Sequence, residues 1–143
     1  NYLNDIKDVD NVILSGDYSF WADQYSIRYP NIKQYIVKPQ EAILIKYFRN
    51  SFLATKVSFF NHVYDMCTAS GIDFGQVRAG IAHDTRIGHS HTQVMPDDGV
   101  RGFGGMCFPK DTAALLKMAA DKNINLNTLE AAVEYNKTLQ KKT

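Results

Sequence analysis

Between residues 40 and 70 apolar side chains recur in almost every helical direction, and neither glycine nor proline interrupts them before Gly71. The pattern predicts one helix of roughly 30 residues, ~45 Å long at 1.5 Å per residue, with Gly71 as its C′ stop. Ile43, Leu44, Ile45, Phe48, Phe52, Leu53, Val57, Phe59, Phe60, Val63 and Met66 make it more apolar than one buried face requires. Such a helix is expected to be covered on several sides, and a second copy of the chain is the expected partner. Upstream, residues 11–16 and 34–38 read as short strands. They flank a helix from Tyr18 to about Arg28, which Asp17 is placed to cap and Tyr29-Pro30 ends. Strand, helix, strand implies two parallel strands of a larger sheet, because a lone pair is poorly stable.

Downstream, residues 71–75 form a turn, 74–82 a short helix, 111 to about 122 another, and 128 to about 140 a last one, with Asn127 as its expected cap. The expected fold is therefore mainly α: a helical domain over residues 40–143 built on one long helix, preceded by a βαβ remnant over 1–39.

Composition changes this picture little. The chain has 143 residues, 45% of them hydrophobic and 22% charged, with a net charge of +1. That is enough length for one ordinary core, and too little charge to argue for nucleic acid or an anionic membrane. No apolar run approaches a membrane span, and a basic start followed by an apolar block is absent. Two cysteines in a chain this long point to a reduced, cytoplasmic protein. The missing initial Met reads as a fragment of something longer.

The chemistry concentrates in Gly102-Phe-Gly-Gly-Met-Cys-Phe-Pro-Lys-Asp111. Glycines at 102, 104 and 105 permit a tight loop that approaches a ligand closely. Pro109 suits the first turn of the helix that follows. Cys107 then stands at or just before a helix start beside Lys110, where the positive helix end and a cation suit a nucleophile. The bland alternative is a small buried thiol after an ordinary turn. On the long helix, Lys46, Asn50 and Asn61 fall within about 60° of one another at ~100° per residue. Lys46 and Asn50 are placed to reach one ligand oxygen; alternatively Lys46 snorkels to solvent and Asn50 bonds a neighbouring loop. His89 and His91, two apart with no further aligned ligand, are a weak metal signal, and no metal is expected.

Three strings together resemble a known family. Residues 102–111 resemble the catalytic signature of the UDP-glucose/GDP-mannose dehydrogenases, residues 41–61 resemble their long central helix, and Asp84-Thr-Arg-Ile-Gly88 resembles their Asp-x-Arg-Ile-Gly element. The resemblance implies that residues 40–143 are a substrate-site and dimerisation domain, and that 1–39 end an NAD-binding, Rossmann-like domain. It implies oxidation of a nucleotide sugar at C6 by NAD in two hydride transfers. The 54–61 and 86–88 strings look most like the UDP-glucose branch; GDP-mannose or UDP-N-acetylmannosamine are the alternative substrates.

By the same resemblance, Cys107 forms the thiohemiacetal and thioester, Lys46 and Asn50 line the sugar site, and Asp111 handles water with Lys46 as counter-charge. Gly104 meets the substrate through its backbone, Lys110 lies near the cofactor, and Arg86 reaches the nucleotide-sugar phosphate of a neighbouring subunit. The loop 83–101 departs from the commonest pattern in being several residues longer. Asp5 stands about where the family has a general-base Glu, with shorter spacing than usual. No strand leads into a Gly-x-Gly-x-x-Gly turn, so the dinucleotide site is expected outside this chain, and the fragment is expected to be inactive alone. The competing expectation is a helical dimerisation module that has lost the chemistry.

Overall fold

A computed structural model describes residues 10–94 and 100–140. Asp5, residues 95–99 of the loop and residues 141–143 lie outside the described residues. The chain divides into two compact units, one up to Lys46 and the other from Tyr47 onward.

The first unit opens with strand β1 (Asn11–Leu14), helix α1 (Ser19–Arg28) and strand β2 (Lys33–Ile36). The strands run parallel, Asn11 opposite Lys33 and Leu14 opposite Ile36. Gln34 ties β2 to α1, its amide donating to the Ala22 carbonyl at 3.0 Å and the Ser26 hydroxyl at 2.8 Å. Phe20, Trp21, Tyr35 and Ile36 stay exposed around this pair of strands. Asp17 does not cap α1 as expected: the N-cap is Tyr18, with no side-chain cap bond, and Asp17 instead accepts from the Ser19 hydroxyl at 3.4 Å.

Helix α2 (Pro39–Ser70) is the predicted long helix. It ends as the Gly71 signal requires: Gly71 has φ +67°, and the Ile72 N–H returns to the Cys67 carbonyl at 2.9 Å. Asp73 caps α3 (Phe74–Ala82), accepting from the Gly75 and Gln76 N–H groups. Helices α4 (Phe108–Ala120) and α5 (Asn127–Gln140) complete the second unit. Two starts differ from expectation. Helix α4 begins three residues before Asp111, so Pro109 is its second residue, which its missing N–H permits. Asn127 is the first residue of α5 rather than its cap; the Leu126 carbonyl already accepts from Leu129 and Glu130.

The core joins Ala54 and Val57 of α2 to Phe103, with Phe108 and Val133 packed on it. The inward face of α2 is made of small residues, Ser51, Ala54 and Ser58, so its neighbours approach closely; the Ser58 hydroxyl donates to the Ala132 carbonyl at 3.2 Å. The large apolar residues divide: Phe60 is buried, while others point outward. Phe48, Phe52, Phe59 and Met66 are each more than half exposed, and at ~100° per residue they lie within about 40° on one stripe. Among the described residues, this stripe of α2 is left uncovered.

Candidate active site

Cys107 occupies the N-cap of α4 and is exposed, while Cys67 is buried in α2; neither is in a disulfide. The side chain of Cys107 makes no cap bond, so its sulfur is not engaged by the helix it precedes. Its carbonyl accepts from the Asp111 N–H at 2.9 Å, which places Asp111 one turn along. Asp111 is 1% exposed, and its carboxyl accepts from the Asn50 amide at 2.6 Å. A buried carboxyl needs such partners, because leaving water without them costs several kcal/mol on the order-of-magnitude scale for buried charge. Lys110 approaches the same carboxyl at 3.4 Å from a mostly exposed position. Asn50 thus bonds the cysteine helix across 61 residues of sequence, joining α2 to α4.

Lys46 also lies on α2, as the last residue of the first unit. Asn61, on the same sequence stripe, has a different task. It is fully buried, and Arg101 donates to both its side-chain oxygen (3.1 Å) and its backbone carbonyl (3.2 Å). Arg101 also pairs with Asp65 at 2.7 Å and stacks over the Tyr64 ring at 4.7 Å. This arginine, not singled out by its sequence context, fastens the loop before the glycines onto α2.

Tyr135 of α5 joins the same cluster, its hydroxyl donating to Asp65 at 2.5 Å. Burial and the adjacent Asp65 push Tyr135 up to about 12, so it remains a donor at neutral pH. Burial raises Asp65, but the Tyr135 hydroxyl and Arg101 outweigh it and hold the carboxyl below the usual range. A depressed carboxylate stabilises the fold above its unfolded pKa of ~3.9 and loses that contribution as pH falls through its lower folded value. Asp65→Asn is accordingly expected to lower stability by under ~1 kcal/mol at pH 7, the Asp65 carboxylate being nearly half exposed. The gap from wild type should close below about pH 4 in thermal unfolding.

Arg86 projects from a turn built by Asp84, whose backbone carbonyl accepts from Ile87 (2.8 Å) and Gly88 (2.9 Å). The guanidinium is 87% exposed and pairs with the Asp84 carboxylate at 2.6 Å. Lys56 of α2 holds the turn in place, donating to the Ile87 carbonyl at 2.7 Å. Arg86 is thus exposed and bonded to the Asp84 of its own turn. Gly104 leaves open backbone, its nearest side-chain neighbour being Gln140 at 3.6 Å from an imagined Cβ. Among the described residues no three His, Cys, Asp or Glu side chains gather as a metal site, and no helix is long and apolar enough to cross a membrane.

The central-domain pattern of the UDP-glucose/GDP-mannose dehydrogenase family matches residues 40–138. The UDP-glucose 6-dehydrogenase TuaD of Bacillus subtilis is 42% identical over 97 residues, 68% of this chain and 20% of its own length. A UDP-glucose 6-dehydrogenase of Rhizobium meliloti is 42% identical over 93 residues, 65% of this chain and 20% of its own length. Among solved structures, a UDP-glucose dehydrogenase from the hyperthermophilic archaeon Pyrobaculum islandicum superposes with a TM-score of 0.77. It is 29% identical, and the match covers 95% of this chain and 31% of that one. The chain spans about a fifth of the length of the curated relatives it matches. From α2 through α5, the helices that carry Asn50, Cys107 and Asp111 follow the pattern of one family, and the chain belongs to the UDP-glucose/GDP-mannose dehydrogenases.

Proposed function

We propose that this chain is the substrate-site and dimerisation part of an NAD-dependent dehydrogenase that oxidises UDP-glucose at C6 to UDP-glucuronate, and that it works in the cytoplasm. The observation that carries the reading is an exposed cysteine at the start of α4 with a buried Asp111 one turn behind it, bonded to Asn50. A scaffold has no use for that arrangement, since a buried carboxyl costs stability unless something requires it.

Bound NAD would accept the two hydrides. The described residues do not themselves make a dinucleotide site: β1 and β2 carry no glycine fingerprint, and Lys110 is the one residue assigned to the cofactor's edge. The end of a dinucleotide-binding domain is assigned to residues 1–39, and the rest of that site to sequence outside the chain.

Within this chain, Cys107 adds to the C6 aldehyde left by the first oxidation. A carbon–sulfur bond forms, and the carbonyl oxygen takes up the proton the thiol gives up. Loss of the second hydride leaves a thioester. Water then adds to it, the carbon–sulfur bond breaks, and the acid and the free thiol are released. Lys46 and Asn50 stabilise the oxyanions of these steps, and Asp111 takes the proton of the attacking water. Gly104 offers backbone to the sugar. Arg86, exposed and outward, serves the phosphates of the neighbouring subunit's nucleotide sugar, where its planar fork pairs with two oxygens.

The test is NADH formation by the full-length protein with UDP-glucose, GDP-mannose and UDP-N-acetylmannosamine in turn. Two NADH per UDP-glucose, and none with the others, is the expected result. No NADH with any of them would leave the dimerisation scaffold as the better account.

The second-copy assignment rests on the exposed stripe of Phe48, Phe52, Phe59 and Met66. A hollow of about 290 Å³ runs along it, walled in part by Phe52, Phe59, Phe60 and Ile87. Phe52→Glu places a charge on this stripe and is expected to weaken self-association roughly 30-fold or more, the scale of an interface anchor. A dissociation constant from sedimentation that matches wild type would remove α2 from the interface.

A further inference from the structure

We infer that Asn136 is the positioning residue of the cysteine loop, holding the backbone of Phe103 so that Cys107 meets its substrate in one geometry. The inference rests on the reading of Cys107 as the nucleophile. Asn136 lies on α5, 33 residues from its partner, and is 5% exposed. Its side-chain oxygen accepts from the Phe103 N–H at 2.6 Å, and its amide donates to the Phe103 carbonyl at 2.9 Å. Gln140, one turn on, donates to the same carbonyl at 2.7 Å. A single side chain thus pairs with both polar groups of one peptide residue, as a neighbouring strand would. Asparagine suits this because its carboxamide presents a donor and an acceptor side by side.

The loop is shaped around this clamp. Gly102 has φ +86°, and a Cβ built there would lie 2.2 Å from the Asn136 oxygen, so only glycine fits beside the amide. Phe103 is sunk into the core with Ala54 and Val57. Its ring meets Phe108, the first residue of α4, edge to face at 6.4 Å. Cys107 is therefore strung between two fixed points, Phe103 and Phe108, while Met106 between them is 90% exposed. Without Asn136 the N–H of Phe103 would be buried and unpaired, and the loop would have reason to leave its seat.

Asn136→Asp keeps the shape and the acceptor for the Phe103 N–H, but sets a carboxylate oxygen against the Phe103 carbonyl where the amide donated, which pushes the loop off its seat; Gln140→Met removes only the outer bond. Both would be made in the full-length protein, with two readouts. In hydrogen exchange read by mass spectrometry, the peptide carrying Phe103 to Cys107 should exchange about 10-fold faster in Asn136→Asp, with the rest of α4 and α5 protected as in wild type. Gln140→Met should give a smaller change in the same peptide. In steady-state kinetics, kcat should fall about 10- to 100-fold with the KM for the sugar nucleotide within about threefold, the signature of a misplaced reacting group.

Faster exchange spread evenly over α4 and α5, or none in the loop, would overturn the clamp. So would an unchanged kcat in both variants. If Asn136→Asp does not fold, Gln140→Met decides by the same two readouts. A wild-type protein that oxidises no sugar nucleotide would refute the proposed function, while the exchange data would still say whether Asn136 holds the loop.

Discussion

Cys107→Ser in the full-length protein is expected to abolish conversion of UDP-glucose to the acid, with kcat down on the order of 10³-fold or more, ~4 kcal/mol in barrier. Serine is nearly the same size, and Cys107 is exposed, so the fold loses nothing. The chemistry does lose. A serine hydroxyl is a weak nucleophile without a base against it, and the cap position gives Cys107 no side-chain bond through which one would act. The covalent adduct that keeps the aldehyde from leaving should not form, so NADH per sugar should drop from two to one or fewer. A serine variant within about tenfold of wild-type kcat would exclude the thioester route. An unchanged melting temperature in the same variant would show that the loss is chemical.

Asp111→Asn is the second large effect, and it separates chemistry from folding. The carboxamide oxygen can still accept from Asn50, so the α2–α4 bond survives, while the new NH2 group takes the place of the carboxyl oxygen beside Lys110 and carries the small stability cost. The exposed approach of Lys110 adds little to lose. Stability should stay within about 1–2 kcal/mol of wild type. Activity should fall by about 10²- to 10⁴-fold, the usual worth of a positioned acid or base, because an amide cannot take the proton of the attacking water. Hydrolysis should slow most, so a trapped acyl–cysteine should accumulate and be visible as added mass on the Cys107 peptide. A variant that loses stability instead, with kcat per folded molecule intact, would make Asp111 a helix brace only. Asn50→Ala should look different again, because it takes the 2.6 Å amide donor away from the buried Asp111 carboxyl and costs stability as well as rate.

The sequence by itself determined what depends on neighbours along the chain. The uninterrupted run before Gly71 made α2, since a glycine at φ +67° is the cheapest way to end a helix. The short helix at Phe74–Ala82 was equally legible, and so was a helix start beside Cys107. These are local matters of propensity, turn chemistry and capping, and each is decided within a few residues.

Only the tertiary structure decided which polar residues serve the site and which serve the fold. Lys46, Asn50 and Asn61 share one stripe in the sequence, yet Asn50 bonds Asp111 and Asn61 is consumed by Arg101. Periodicity assigns a direction but not a partner, and the partners are 61 and 40 residues away. Asn136 carried no motif at all, because its meaning lies in a backbone group 33 residues upstream. The early start of α4 has a similar cause: Phe108 is held by Phe103, so core packing extends the helix past Pro109 to the residue next to the cysteine. Hydrogen bonds between distant segments form only once the core brings them together, and sequence spacing records none of that geometry.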